Sequence, residues 1–74
     1  MLLKDLLKII VGDDKALFYS AKIDLWDADN AHKDIIVNTL VDDIPEELFN
    51  SKVELENGLI AKERNHFIIS IHTK

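Results

Sequence analysis

The chain has 74 residues, 47% hydrophobic and 31% charged, with 14 acidic against 9 basic side chains and a formal net charge of −5. That length allows one domain, residues 1–74, and leaves little room for a deep cleft between lobes. The absence of cysteine removes disulfides, zinc fingers, iron–sulfur sites and thiol nucleophiles, and a pI near 4.9 disfavours direct binding to nucleic acid.

Leu2, Leu3, Leu6, Leu7, Ile10 and Val11 recur at helical spacing and predict an N-terminal amphipathic helix, with Lys4, Asp5 and Lys8 on its other face. Gly12 follows as a C-cap. The period then changes to two. Leu17, Tyr19, Ala21, Ile23 and Leu25 alternate with Phe18, Ser20, Lys22 and Asp24, which predicts a first strand over Leu17 to Leu25. The polar stretch Asp27 to Asp34 turns the chain, and a second strand from Ile35 to about Val41 completes a hairpin. Pro45-Glu46-Glu47-Leu48-Phe49 suits a short helical turn. Val53 and Leu55 alternate with charged residues, a half-exposed third strand. Asn57-Gly58 is the strongest local hairpin signal, both residues tolerating positive φ. Leu59-Ile60-Ala61 forms a short return arm, and Lys62 to Asn65 another turn. A last strand, His66 to Thr73, sets Phe67, Ile69 and Ile71 against His66, Ile68, Ser70 and His72. The predicted fold is α+β: one helix on a small, mainly antiparallel sheet of about four strands, with a helical turn between strands 2 and 3.

No apolar run approaches the ~20 residues of a membrane-spanning helix. The opening residues lack the apolar core of a secretory signal, so a cytoplasmic setting is expected.

Leu3-Lys4-Asp5-Leu6-Leu7-Lys8-Ile9-Ile10, followed by a hairpin and Val41-Asp42-Asp43-Ile44-Pro45-Glu46-Glu47-Leu48, resembles a pattern in small proteins encoded by phages and mobile elements of Gram-positive bacteria. The resemblance spans most of the chain on generic motifs. The acidic hairpin loop here is longer, and Lys62 to Asn65 is an insertion. The resemblance implies a genomic setting and transfers no catalytic residue.

The chemistry-bearing residues assemble no recognisable site. His66 and His72 share a strand face but lie roughly 20 Å apart at about 3.3 Å per residue, too far for one ion, so no metal site is assigned. Asp27-x-Asp29 opens like a calcium loop, but Ala31, His32 and Asn38 occupy positions that need a ligand, a glycine and a bidentate glutamate. Neither glycine sits in a phosphate loop, and Ser20, Ser51 and Ser70 lack a nucleophile elbow. Paired acids such as Asp13-Asp14 are more often solvated caps than general acid and base. A non-enzymatic protein without a cofactor is therefore expected.

Charge gives the main functional hint. Residues 13–56 carry a net −8, whereas residues 1–12 carry +1 and residues 57–74 carry +2. An acidic surface repels nucleic acid and attracts basic protein surfaces. Asp27, Asp29, Asp34, Asp42, Asp43, Glu46 and Glu47 are the candidate partner-binding charges, with Trp26 as their apolar anchor. The reading is a small acidic protein-binding module, an inhibitor of a host nucleic-acid-handling or defence protein in the manner of anti-CRISPRs. The alternative is a structural or assembly protein acting as a homodimer or higher oligomer through Phe18, Ile36, Leu40 and Ile68, which alternation places on one uncovered sheet face. A small hydrolase or metal-binding protein is the weaker alternative.

Overall fold

A computed structural model describes residues 1–74. The N-terminal helix α1, Leu3–Val11, buries Leu3, Leu6, Leu7 and Val11, the stripe expected from its periodicity. No side chain caps its start. The Leu3 and Lys4 N–H groups instead donate to the carbonyls of Ser51 and Phe49, which ties the helix to the middle of the chain.

The predicted first strand divides in two. Lys15–Ser20 forms a second helix, α2, because the Asp14 carboxylate accepts from the Leu17 N–H at 3.0 Å and caps it. Strand β1 is Lys22–Asp27. Ile23 and Leu25 point into the core as expected, but Tyr19 is 66% exposed on the helix. A local cap outweighed the weak alternation over Leu17 to Ser20.

Strand β2, Lys33–Leu40, pairs antiparallel with β1, so the hairpin is present. Register shifts interrupt its alternation, and Ile35 and Ile36 both pack against the core. The chain then makes 3-10 turns at Val41–Asp43, where the second strand was expected to end, and at Glu46–Leu48, the expected helical turn. Strands β3, Lys52–Val53, β4, Leu59–Glu63, and β5, His66–His72, complete a five-stranded sheet.

The central pairing differs from the expected one. β1 and β5 run parallel in register, from Lys22 opposite His66 to Asp27 opposite Ile71. All other pairings are antiparallel, so the sheet is mixed but mainly antiparallel. β5 is central, and Ile68, Ile69, Ser70 and Ile71 are buried on both of its faces.

Asn57-Gly58 does not make the expected hairpin. β3 and β4 lie end to end along one edge of β5, at Ile71–His72 and at His66–Ile69. Residues 54–58 loop out between them opposite Ser70, whose carbonyl accepts from Glu54 N–H and whose N–H donates to the Gly58 carbonyl. Asn57 carries the positive φ of 55°. Gly58 is required by close approach: a Cβ there would lie 2.0 Å from the Glu54 carbonyl oxygen. The hairpin turn of this half is Arg64-Asn65, within the stretch expected to turn.

The core joins α1, β1, Val41, Ile44, Val53 and β5 on one sheet face. No helix is long and apolar enough to cross a membrane.

Candidate functional site

The acidic residues separate into two groups. Val41 and Ile44 are buried and Leu48 packs against the core, while Asp42, Asp43, Glu46 and Glu47 between them are exposed. Buried anchors thus alternate with carboxylates, which stand out from a fixed backbone as a short ridge. All three ion pairs in the molecule are made by histidines, so no lysine or arginine forms an ion pair with this ridge. Beside it lies a shallow groove of about 320 Å³ between Phe18 and Phe49, floored by Leu7, Val11 and Val41 and rimmed by Lys4, Lys8 and Asp42.

Trp26, Asp27, Asp29 and Asp34 sit at the opposite end of the β1–β2 hairpin. Trp26 is cross-strand from Asp34, whereas Leu40, the last residue before the ridge, is cross-strand from Lys22, four β1 residues or roughly 13 Å away at about 3.3 Å per residue. The structure therefore does not bring Trp26 into the ridge itself. It is half-buried and meets the His32 ring edge-on, with centroids 6.3 Å apart.

Asp27 and Asp29 are engaged within the fold. Asp27 Oδ1 accepts from the Asp29 N–H and from the Thr73 hydroxyl, both at 2.9 Å. Asp29 accepts from His72 Nδ1 at 2.9 Å and from the Lys74 N–H at 3.0 Å. His72 Nε2 lies 3.2 Å from Glu54 Oε2, so its ring bridges two carboxylates. The hydrogen bond to Asp29 raises the His72 pKa above its ordinary value; burial opposes it, and the charges of Asp29, Glu54 and Asp27 add to the rise. The same bond from His72, then the Lys74 N–H, holds Asp29 below the usual aspartate value. This clasp closes the loops after β1 and β3 onto the end of β5. With both ring nitrogens occupied, His72 offers no lone pair to a metal, and no group of three His, Asp or Glu side chains is arranged to hold one.

Sequence reasoning missed Asp24. It lies on β1, is 5% exposed, and accepts from the Asn38 N–H at 2.7 Å and from His66 Nε2 at 2.9 Å. Burial raises its pKa, but the Asn38 N–H, the His66 ring and the Lys62 charge outweigh burial and leave the carboxyl below the usual aspartate range. The bulge near Asn38, which has φ of 52°, turns an edge-strand N–H towards the carboxylate. Parallel register sets His66 beside it, and that register leaves no local sign in the sequence.

The four residues assigned to an open sheet face do not share one. Phe18 is on α2 and packs against the core, as does Ile36, which pairs with Leu25. Leu40 pairs with Lys22 and is 36% exposed. Ile68 is buried on the opposite sheet face from Ile36, beside Asp24. The supposed face failed because α2 replaced half of the predicted first strand and the bulges turned β2. His32 completes the polar face, its Nδ1 lying 3.4 Å from the Ser70 hydroxyl. No protein-family model, curated protein or solved structure matches the chain.

Proposed function

We propose that this chain is a small acidic protein-binding module, without catalysis of its own, that docks on a basic surface of a partner protein through Asp42, Asp43, Glu46 and Glu47. The observation that carries this reading is the ridge itself: four exposed carboxylates without an ion-pair partner on a backbone pinned by Val41, Ile44 and Leu48. Rigid display lowers the entropic cost of docking, and concentrated negative charge accelerates encounter with a basic surface. The Phe18–Phe49 groove beside the ridge supplies the apolar anchor first assigned to Trp26. An inhibitory role against a host protein with a nucleic-acid-binding groove is the proposal's analogy with the phage and mobile-element setting that the resemblance implies.

Affinity capture with the wild-type chain and with the D42N/D43N/E46Q/E47Q variant, at low and high salt, tests this. Loss of one basic partner both in the variant and at high salt is the expected result. Capture of the same proteins by both chains, or a shift of duplex DNA by the wild type, would overturn it.

Self-association is the second reading, favoured by the outer edge of β4, where Leu59 and Ile60 are each 42% exposed. Sedimentation of Ile60→Lys beside the wild type tests it: a dimer broken by the substitution supports the reading, and a wild-type monomer removes it.

A further inference from the structure

Where the start of β1 meets the β4–β5 turn, the surface sinks into a depression of about 330 Å³ with no apolar lining residue. Ser20, Lys22, Arg64, Asn65 and His66 contribute to its wall. This is a cationic spot on a chain of net charge −5, and neither Lys22 nor Arg64 is paired with a carboxylate. One acid, Glu63, shares the wall, and Lys62 lies close enough for its charge to act on Asp24.

His66 is held for use rather than for packing. Its Nε2 is fixed by the buried Asp24, which is itself fixed by the Asn38 N–H. Its Nδ1 makes no hydrogen bond within the protein, yet no buried side-chain nitrogen or oxygen lacks a partner, so Nδ1 is open to solvent. A buried carboxylate–imidazole pair is costly to take out of water, and two packed apolar side chains in place of both partners would fill that space at lower cost. An arginine fork, a lysine charge, an asparagine amide and an oriented imidazole are together the donors that a tetrahedral oxyanion requires.

We propose that this depression binds a small tetrahedral oxyanion, phosphate or a phosphate monoester, through Arg64, Lys22 and the Nδ1–H of His66. With Nε2–H donating to Asp24, a neutral His66 presents a lone pair at Nδ1, which repels an oxyanion; protonation turns it into a donor. The bound state is therefore the one in which both ring nitrogens carry a proton. Glu63, on the same wall, weakens the anion's hold.

The test is an amide-resonance titration of the intact chain with sodium sulfate, sodium chloride holding the ionic strength constant. Sulfate stays dianionic, so a single anion species is titrated. Saturable shifts at Lys22, Arg64, Asn65 and His66 are expected. Arg64→Ala weakens binding about tenfold, the loss of one charge-assisted contact, and Glu63→Gln tightens it. Both positions are exposed, so both variants remain folded whether or not His66→Gln does. His66→Gln, if folded, removes the ring donor and weakens binding. Inorganic phosphate and adenosine 5′-monophosphate form a second arm: tighter binding of either supports the site and separates free ion from ester. Shifts that do not saturate, that chloride reproduces, or that survive Arg64→Ala unchanged would overturn the proposal.

Discussion

Asp24 Oδ1 and His66 Nε2 meet at 2.9 Å across two parallel strands, joining residues 42 positions apart in the sequence. Asp24→Ala removes the acceptor of both the Asn38 N–H and His66 Nε2, leaving two donors unmatched on a largely buried face. The expected loss is about 2–4 kcal/mol, read by urea denaturation. A loss below about 0.5 kcal/mol would show the pair to be energetically idle.

Stability should peak between the ordinary aspartate and histidine values, 3.8 and 6.5. Asp24 and Asp29 have depressed folded values, so their contribution is present above the ordinary value and is lost as the pH falls through the depressed one. His72 has a raised folded value, so its contribution is complete below the ordinary value and is lost as the pH rises through the raised one. Melting temperature measured from about pH 3 to about pH 9 checks both limbs, and His72→Gln should flatten the alkaline one. An unchanged alkaline limb would detach His72 from that limb.

Ala31 and His32 both have φ of 55° in the β1–β2 loop, a conformation that a Cβ disfavours. Ala31→Gly relieves this strain at an exposed site, with an expected net gain of about 0.5–1 kcal/mol after the greater unfolded-state entropy of glycine. Thermal unfolding decides it, and a loss of stability would contradict the left-handed geometry.

Gly58→Ala should be damaging, because its Cβ would strike the Glu54 carbonyl, a backbone atom held by the looped-out segment. A loss of about 2 kcal/mol or more is expected. Leu55→Ala in the same loop serves as control, since Leu55 is 90% exposed and its truncation should stay within about 0.5 kcal/mol. Equal effects of the two substitutions would refute the assigned loop path.

Much of the fold was legible where the signal is local. The α1 stripe, the β1–β2 hairpin and the two faces of β5 follow from side-chain period alone. α2 was hidden because Leu17 to Ser20 alternates well enough for a strand, while Asp14 decides the matter from outside that window. The pairing of β1 with β5 was hidden because no turn joins them; the run Phe67-Ile68-Ile69 was the one hint, marking a strand covered on both faces. Of the candidate site, the acids around Pro45 were readable as exposed. The engagement of Asp27 and Asp29 was not, since their partners, Thr73, His72 and Lys74, lie more than 40 residues downstream.

The parallel register of β1 with β5 also sets the order of events during synthesis. Residues 22–27 leave the ribosome with their hairpin partner but without the strand that completes their other edge. That strand is supplied only by residues 66–71, so one edge of β1 stays unpaired until they have emerged. Pairing over such sequence separation must overcome a large loop-closure entropy before any contact compensates, which slows folding relative to a sequential meander. Interruption of translation before residue 66 would therefore release a chain with an unpaired strand edge, prone to aggregation and open to proteolysis.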